Sequence, residues 1–257
     1  MLNVAMAEVI SRLPRIFGAR SKSASMSDFF MIDFIDDRSY SFNPTGRLEF
    51  RNAVARRVPM KLIGTYLSPY ARRVAAALIS RGLPFEHEAV NGYREFEIAS
   101  RYNPVAKVPS LVLDDGEILI DSTAILDYLN ELTPSAPLIP AGSRARRTTL
   151  KLAAIGYGVY EQAANLSFRG RDVAATEAGR WKAQILGGLR ALDEAARDGG
   201  PLRATPLDAA AITAIVAVEY LARTNPDLET LPAIPALAEL VAEYRDAPPF
   251  ALTRAAA

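Results

Sequence analysis

Residues 103–129 read NPVAKVPSLVLDDGEILIDSTAILDYL, and this stretch decides the fold that the sequence predicts. Two short apolar runs, residues 110–113 and 117–120, flank Asp114-Asp115-Gly116, a combination that indicates a β-hairpin. Residues 122–132 follow with their apolar side chains on one helical face. The stretch therefore predicts two antiparallel strands followed directly by a helix.

The chain on the N-terminal side of this stretch alternates between strand and helix. Residues 61–65 and 85–90 are strand candidates, and residues 70–81 form a helical segment that Gly82 ends. Residues 94–102 are weakly helical. The order strand, helix, strand, helix, hairpin, helix predicts a compact α/β domain that begins near Met60.

The chain on the C-terminal side shows no strand pattern. Residues 133–142 contain three prolines and a glycine, which indicates an ordered linker. Four helical candidates follow at residues 144–166, 176–198, 207–223 and 235–245. This half of the chain therefore predicts an all-helical domain.

Residues 1–59 differ in character from the rest, with an excess of basic residues and short apolar patches of no sustained period. Residues 43–46, Asn-Pro-Thr-Gly, indicate a turn. We expect a poorly ordered N-terminal extension. Two alternatives stay open: an upstream start codon with Met60 as the native beginning, and a transit peptide, because Arg12, Arg15, Arg20 and Lys22 precede most of the acids.

Composition excludes several kinds of chemistry. The chain of 257 residues has a formal net charge of +1 and no long apolar run, so we expect neither a nucleic-acid nor a membrane partner. It contains no cysteine, which excludes disulfides, thiolate-bound zinc and a thiol nucleophile. His87 is the single histidine, so a multi-histidine metal site is excluded too. We expect His87 to be a partly exposed strand residue.

Ser68 is the first candidate for chemistry, because it follows a strand and precedes Pro69. One interpretation is structural: a serine N-cap with proline at the first helical position. The other is functional, since a hydroxyl beside free amides at a helix N-terminus stabilises a thiolate. Thr65 and Tyr66 are the alternative donors in the same turn.

Two further junctions allow the same pair of interpretations. Lys107-Val108-Pro109 starts a strand, and a cis bond there would leave the Val108 amide and carbonyl free for a peptide-like ligand. Asp121-Ser122 is either a helix cap or a clamp for an amino-acid group. Thr205-Pro206-Leu207-Asp208 predicts a capping box in which Thr205 caps the Asp208 amide.

Side chains of the first long helix in the second half are assigned to the core. Tyr157, Tyr160 and Phe168 are core residues by default, with a hydrophobic pocket lining as the alternative. The basic cluster over residues 144–151 predicts a solvated helix face.

Three motifs taken together carry a family resemblance. Ser-Pro-Tyr-Ala-Arg-Arg-Val at 68–74, Asn-Pro-Val-Ala-Lys-Val-Pro at 103–109 and residues 111–129 stand in the order and at the spacing of glutathione S-transferases. The chain resembles this family from residue 60 to about residue 250, and most resembles bacterial, serine-type members with a Ser-Pro-Tyr turn. Two positions depart from the usual motifs: Asp121 replaces glutamate, and Ala106 replaces glycine.

The resemblance implies the glutathione S-transferase fold: an α/β thioredoxin-like domain over residues 60–140 and an all-α domain over residues 141–257. It implies glutathione as co-substrate, with a cis bond at Pro109. Val108 would hold the cysteinyl backbone, Asp121 and Ser122 the γ-glutamyl group, and Lys107 would lie near the glycyl end. Ser68 would be the catalytic hydroxyl.

The function that we expect is conjugation of the glutathione thiolate to a small hydrophobic electrophile, in a cytoplasmic homodimer devoted to detoxification. A chain without cysteine must borrow its thiol, which agrees with this class and disfavours cysteine-dependent relatives. Two alternatives stay open. One is a glutathione-dependent isomerase or lyase, and the other is a non-catalytic interaction protein with the same fold.

Overall fold

The computed structural model describes residues 40–42, 48–50, 60–228 and 233–255. The chain divides into two units, Met1–Arg57 and Val58–Ala257. In the first unit, β1 (Tyr40–Phe42) pairs antiparallel with β2 (Leu48–Phe50). This strand pair was not predicted from the sequence. The predicted turn at residues 43–46 lies outside the described residues, and the predicted disorder of residues 1–59 stays a prediction.

The second unit begins with a four-stranded mixed sheet. Its strands are β3 (Met60–Ile63), β4 (Phe85–Glu88), β5 (Ser110–Val112) and β6 (Ile118–Ile120), in the spatial order β4-β3-β5-β6. β3 runs parallel to β4 and antiparallel to β5, and β5 and β6 form the hairpin that the sequence predicted. The parallel pair requires a crossover, which the following helix supplies.

Helices cover both faces of this sheet. They are α1 (Pro69–Ser80), α2 (Phe96–Tyr102) and α3 (Ser122–Leu132). Successive strand residues point to opposite faces, yet Leu62 and Ile63 of β3 are both fully buried. Leu62 packs into the core that α1 and α3 share, whereas Ile63 packs with residues of α2 and its neighbouring loops. The α/β part of the chain is thus a three-layer, thioredoxin-like unit, as predicted.

The remainder of the second unit is helical. Its elements are α4 (Ser143–Arg169), α5 (Ala175–Ala196), a short 3-10 turn (Pro201–Arg203), α6 (Ala209–Thr224), α7 (Pro235–Tyr244) and α8 (Pro248–Ala251). The four predicted helices are confirmed, with ends displaced by less than one turn, whereas the 3-10 turn and α8 were not predicted. Among the described helices, none combines the length and the apolar composition that a membrane span requires.

Small residues let the neighbouring helices approach α4 closely. A Cβ atom added at Gly156 of α4 would lie 3.0 Å from the Thr213 side chain of α6. A Cβ atom at Gly188 of α5 would lie 2.5 Å from the Val159 side chain of α4. Because α4 fits this tightly between its neighbours, the face that it presents to the α/β part is fixed in position.

The capping box predicted at Thr205-Pro206-Leu207-Asp208 is wrong in its assignment of the cap. Asp208, not Thr205, is the N-cap of α6, and its Oδ1 accepts a hydrogen bond of 2.9 Å from the Ala211 amide. Its Oδ2 accepts a second bond of 2.7 Å from the hydroxyl of Thr149 on α4. Asp208 therefore both starts α6 and joins it to α4. The Thr205–Pro206 peptide bond that precedes it is cis.

We expect Asp208→Ala to lower the free energy of unfolding by about 2 kcal/mol, because the Ala211 amide and the Thr149 hydroxyl both lose a buried partner. Asp208→Asn retains an acceptor for the amide and is the matched control, with a loss of about half that size. Urea unfolding followed by circular dichroism measures both. Equal stability of the alanine variant and the unsubstituted protein would contradict this role for Asp208.

Candidate functional site

A cleft of about 880 Å³ separates the α/β part from the helical part of the second unit. One wall consists of the β3–α1 turn, the β4–α2 loop, the loop at residues 103–109 and the β6–α3 junction. The opposite wall consists of one face of α4 and the C-terminal end of α6. All six residues predicted for the site line this cleft: Ser68, Lys107, Val108, Pro109, Asp121 and Ser122. The fold thus brings together three motifs that are far apart in sequence.

The turn between β3 and α1 places Ser68 at the edge of the cleft. Gly64 adopts a φ of +140°, and a Cβ there would lie 3.0 Å from the Cβ of Ala71 and 3.1 Å from that of Val108. Glycine is thus required for the turn to pack beside the loop that carries Val108. Ser68 is the N-cap of α1, and its Oγ accepts a bond of 3.4 Å from the Ala71 amide. Since the oxygen acts as acceptor, the hydroxyl proton stays available to a ligand.

The two alternative donors of this turn differ in position. Thr65 lines the cleft, and its Oγ1 accepts a bond of 3.3 Å from the Leu67 amide. The Tyr66 ring stacks on the His87 ring instead, with centroids 4.0 Å apart and planes inclined by 2°. Burial raises the pKa of the Tyr66 phenol. His87 lies on β4, a strand position as predicted, and is exposed rather than partly exposed; its Nε2 is 2.7 Å from the Gly64 carbonyl oxygen.

The loop at residues 103–109 is held by the buried side chain of Asn103. Its Nδ2 donates to the Lys107 carbonyl at 2.8 Å, and its Oδ1 accepts from the Val105 amide at 3.0 Å. Ala106 adopts a φ of 51°, in the left-handed region that favours glycine. The alanine that departs from the usual motif therefore keeps the left-handed backbone, and its amide donates to the Asn103 carbonyl at 2.7 Å.

The Val108–Pro109 peptide bond is cis, as the resemblance implied. Val108 precedes β5 and lies outside the sheet ladder. Among the described residues, neither its amide nor its carbonyl has a backbone partner. Both groups are free to pair with an extended ligand in the manner of an added strand.

The β6–α3 junction combines the capping and ligand-facing interpretations of Asp121 and Ser122. Asp121 has a φ of 68° and caps α3, since its Oδ1 accepts a bond of 2.7 Å from the Thr123 amide. The Asp121 side chain is nevertheless exposed at the cleft, so its other oxygen remains available. Ser122 is almost completely buried. The junction is therefore a helix cap whose polar atoms also reach the cleft.

Arg73 of α1 lies behind this junction and was not predicted as part of the site. Its Nη2 donates to the Ser122 hydroxyl at 2.8 Å and to the Thr123 hydroxyl at 2.7 Å. Its side chain is 2% exposed, and the guanidinium lies 5.3 Å from the centre of the Tyr157 ring. Arginine only donates, so the Ser122 oxygen must accept, and the Ser122 proton is directed elsewhere. Two adjacent arginines in an otherwise apolar helix were the sequence feature that could have revealed a buried polar role.

The helical wall carries aromatic side chains of α4. Tyr157 and Phe168 line the cleft, whereas Tyr160 is fully buried in the core. Burial raises the pKa of Tyr157 and Tyr160 on this wall and of Tyr70 on α1, whose ring contacts both, and the carboxylate of Glu161 contributes in the same direction. The phenols of this wall are therefore neutral near pH 7. They supply an apolar surface and hydroxyl donors rather than a base.

Arg223 is the second functional candidate that the sequence analysis missed. It belongs to the last turn of α6, and its Nη2 donates to the Leu67 carbonyl at 2.7 Å, across the cleft. The Leu67 carbonyl belongs to the peptide bond that joins Leu67 to Ser68, so this guanidinium lies beside the Ser68 turn. No periodicity or motif distinguishes Arg223 in the sequence.

Comparisons with known proteins agree with this architecture. Residues 62–137 match the family model described as glutathione S-transferase, N-terminal domain. The crystal structure of a glutathione S-transferase from Methylobacillus flagellatus with bound glutathione has a TM-score of 0.71 and 26% sequence identity, and covers 77% of this chain and 100% of that one. The second unit thus has the fold of glutathione S-transferases, a thioredoxin-like part followed by a helical part.

Matches to curated sequences are shorter. The uncharacterised GST-like protein YibF of Escherichia coli is 29% identical over 102 residues, which is 40% of this chain and 50% of that protein. The maleylacetoacetate isomerase of Pseudomonas aeruginosa is 35% identical over 101 residues, or 37% of this chain and 48% of that protein. The chain thus spans about half the length of the curated relatives that it matches first.

Proposed function

We propose that this protein is a glutathione transferase that joins the glutathione thiolate to small hydrophobic electrophiles. The observation that carries the proposal is the single cleft wall on which Ser68, the unpaired Val108 backbone and the Asp121-Ser122 junction meet. Residues 60–140 would bind glutathione, and residues 141–257 would supply the wall facing the electrophile. The similarity to structures with bound glutathione supports this assignment.

Glutathione is a peptide with a carboxylate at each end and one ammonium, and the cleft offers a partner for each group. The free amide and carbonyl of Val108 would pair with the cysteinyl backbone as a neighbouring strand does. The Asp121 carboxylate would attract the ammonium. The Ser122 hydroxyl, oriented by Arg73, would donate to the γ-glutamyl carboxylate. Lys107 would lie near the glycyl carboxylate.

Stabilisation of the thiolate would come from the N-terminus of α1. The hydroxyl of Ser68 can donate to sulfur because its oxygen already accepts from the Ala71 amide. The positive end of the helix dipole acts on the same atom. A free thiol has a pKa of about 8.5, and comparable surroundings lower it by one unit or more. The site would therefore hold ionised glutathione at neutral pH without a cysteine of its own.

The bond changes of conjugation then require little from the protein. The thiol proton passes to solvent, and a sulfur electron pair forms the new carbon–sulfur bond. In a substitution, the leaving group departs with the electrons of its former bond; in an addition, the neighbouring carbon takes a proton from solvent. Proximity of the two bound reactants supplies much of the rate.

A glutathione-dependent isomerase is the second candidate, and one observation favours it: the similarity to a protein named maleylacetoacetate isomerase. In that reaction the thiolate adds to a double bond, the adduct rotates, and the thiolate leaves unchanged. Product analysis distinguishes the two, since conjugation consumes glutathione and isomerisation does not.

Assembly as a homodimer is a further proposal from the family resemblance, which sedimentation equilibrium of the 27.9 kDa chain tests.

We expect Ser68→Ala to lose most of its conjugating activity while it still binds glutathione. Without the hydroxyl, the pKa of the bound thiol rises toward its free value, so kcat/KM falls by about tenfold or more at pH 6.5 and by less at pH 9. The measurement is the pH profile of kcat/KM with a chromogenic aryl halide, together with glutathione affinity by calorimetry.

Two variants serve as controls for this experiment. Ser68→Thr retains a hydroxyl and should recover part of the activity at low pH. Tyr66→Phe should change little, because Tyr66 stacks on His87 outside the cleft. Unchanged turnover in Ser68→Ala would exclude Ser68 from the role, and Thr65 would be the next residue to substitute.

For the clamp, we expect both Asp121→Ala and Asp121→Asn to weaken glutathione binding by about tenfold, because each removes the charge opposite the ammonium. Only the alanine variant should also lose stability, by about 1 kcal/mol, since asparagine still caps the Thr123 amide. Calorimetric titration and urea unfolding separate the two effects. Ordinary glutathione affinity in Asp121→Asn would contradict the clamp.

A further inference from the structure

The electrophile side of the cleft contains a cation that the proposed glutathione contacts do not use. Arg223 reaches across from α6 and donates through Nη2 to the carbonyl of the Leu67–Ser68 peptide bond at 2.7 Å. Its guanidinium also lies 5.2 Å from the centre of the Tyr220 ring, a cation–π distance. These two contacts hold the guanidinium beside the Ser68 turn, where Arg223 lines the cleft and its other nitrogens are still able to donate.

The charge of Arg223 is not balanced locally. Glu219, one turn earlier on α6, is taken by Arg72, whose Nη2 lies 2.6 Å from the Glu219 Oε2. Glu161 lines the same cleft, but its carboxylate lies near Tyr70 and Tyr157, whose pKa values it raises. Throughout residues 60–228 and 233–255, no carboxylate forms an ion pair with Arg223. The positively charged guanidinium of Arg223 therefore lines the cleft and has further N–H groups able to donate.

The surroundings of Arg223 are apolar and aromatic. Phe168, at the end of α4, is 61% exposed, and Tyr93 of the β4–α2 loop is 83% exposed. Their rings meet across the cleft with centroids 5.2 Å apart. Leu67 is also exposed on this side. An electrophile in this position would bury an apolar body against these side chains and present any anionic group to the guanidinium.

We propose that Arg223 makes this site selective for electrophiles that carry a carboxylate a few atoms from the reacting carbon. The inference rests on the proposed glutathione site and adds the class of second substrate. The Leu67 contact occupies one edge of the guanidinium, and the remaining N–H groups donate to the two carboxylate oxygens of the electrophile. Neutral electrophiles of the same shape bind to the aromatic surface alone.

Binding of S-substituted glutathiones tests this without turnover. Calorimetry compares three ligands on the full chain: S-methylglutathione, S-carboxyethylglutathione and its neutral isostere S-carbamoylethylglutathione. The unsubstituted protein should bind the carboxyethyl conjugate about tenfold more tightly than the carbamoyl conjugate, because a charge-assisted pair forms with the first alone. Arg223→Gln should abolish that tenfold preference and leave the S-methylglutathione affinity within twofold.

Arg169→Gln is the matched control, since Arg169 carries the same charge on the helical part but lies over Trp181 and does not line the cleft. It should keep the full preference. Equal affinity of the carboxyethyl and carbamoyl conjugates in the unsubstituted protein overturns the inference while the glutathione site stands. An equal loss for all three ligands in Arg223→Gln also overturns it, because Arg223 then only holds the Leu67 turn. If none of the three binds, the proposed function fails and the inference fails with it.

Discussion

The buried guanidinium of Arg73 joins three of the helices that border the cleft. It extends from α1, donates to two hydroxyls at the start of α3 and lies against the Tyr157 ring of α4. Removing a charge from water is costly, and among the described residues no carboxylate forms an ion pair with this one. Two short charge-assisted bonds from Nη2 and a π face offset part of that cost, whereas Nε is buried with no hydrogen-bond partner among the described residues. The Ser122 hydroxyl keeps its orientation only while this arrangement holds.

Arg72, the preceding residue, extends in a different direction and joins α1 to the helical part. It pairs with Glu219 of α6, and its Nε donates to the Thr253 hydroxyl at 3.4 Å. Neighbouring side chains of a helix diverge by about 100°. One helix therefore supplies both arginines. Their contacts fix the position of α1, whose N-cap is Ser68, relative to both walls of the cleft.

The cleft is electrically asymmetric, and this asymmetry would orient the two bound substrates. Asp121 and Glu161 place carboxylates at one end, near the aromatic side chains of Tyr70 and Tyr157. Arg223 lies beside the Leu67–Ser68 peptide. An ammonium is favoured at the first position and an anion at the second. A thiolate at the start of α1 would lie between them, where the helix dipole favours negative charge.

Local chemistry in the sequence was sufficient for most of the elements, because turn residues and apolar periodicity act over a few residues. The Asp114-Asp115-Gly116 hairpin, the helix after Asp121 and the stop at Gly82 were predictable for that reason. The cap of α6 was misassigned because Thr205 and Asp208 both satisfy the pattern. Asp208 is the residue that caps α6, and it is also the residue that accepts a hydrogen bond from the Thr149 hydroxyl of α4. That contact comes from a helix 59 positions away in sequence.

The sequence by itself determined the order of most strands and helices from residue 60 onward, the absence of a cysteine nucleophile and, through three spaced motifs, the residues of one cleft wall. Only the tertiary structure decided that Tyr66 faces His87 rather than the cleft, that Arg73 supports Ser122, and that Arg223 reaches the Ser68 turn from α6. Motifs record short-range geometry, whereas these contacts depend on how distant helices pack, and packing is a property of the whole chain.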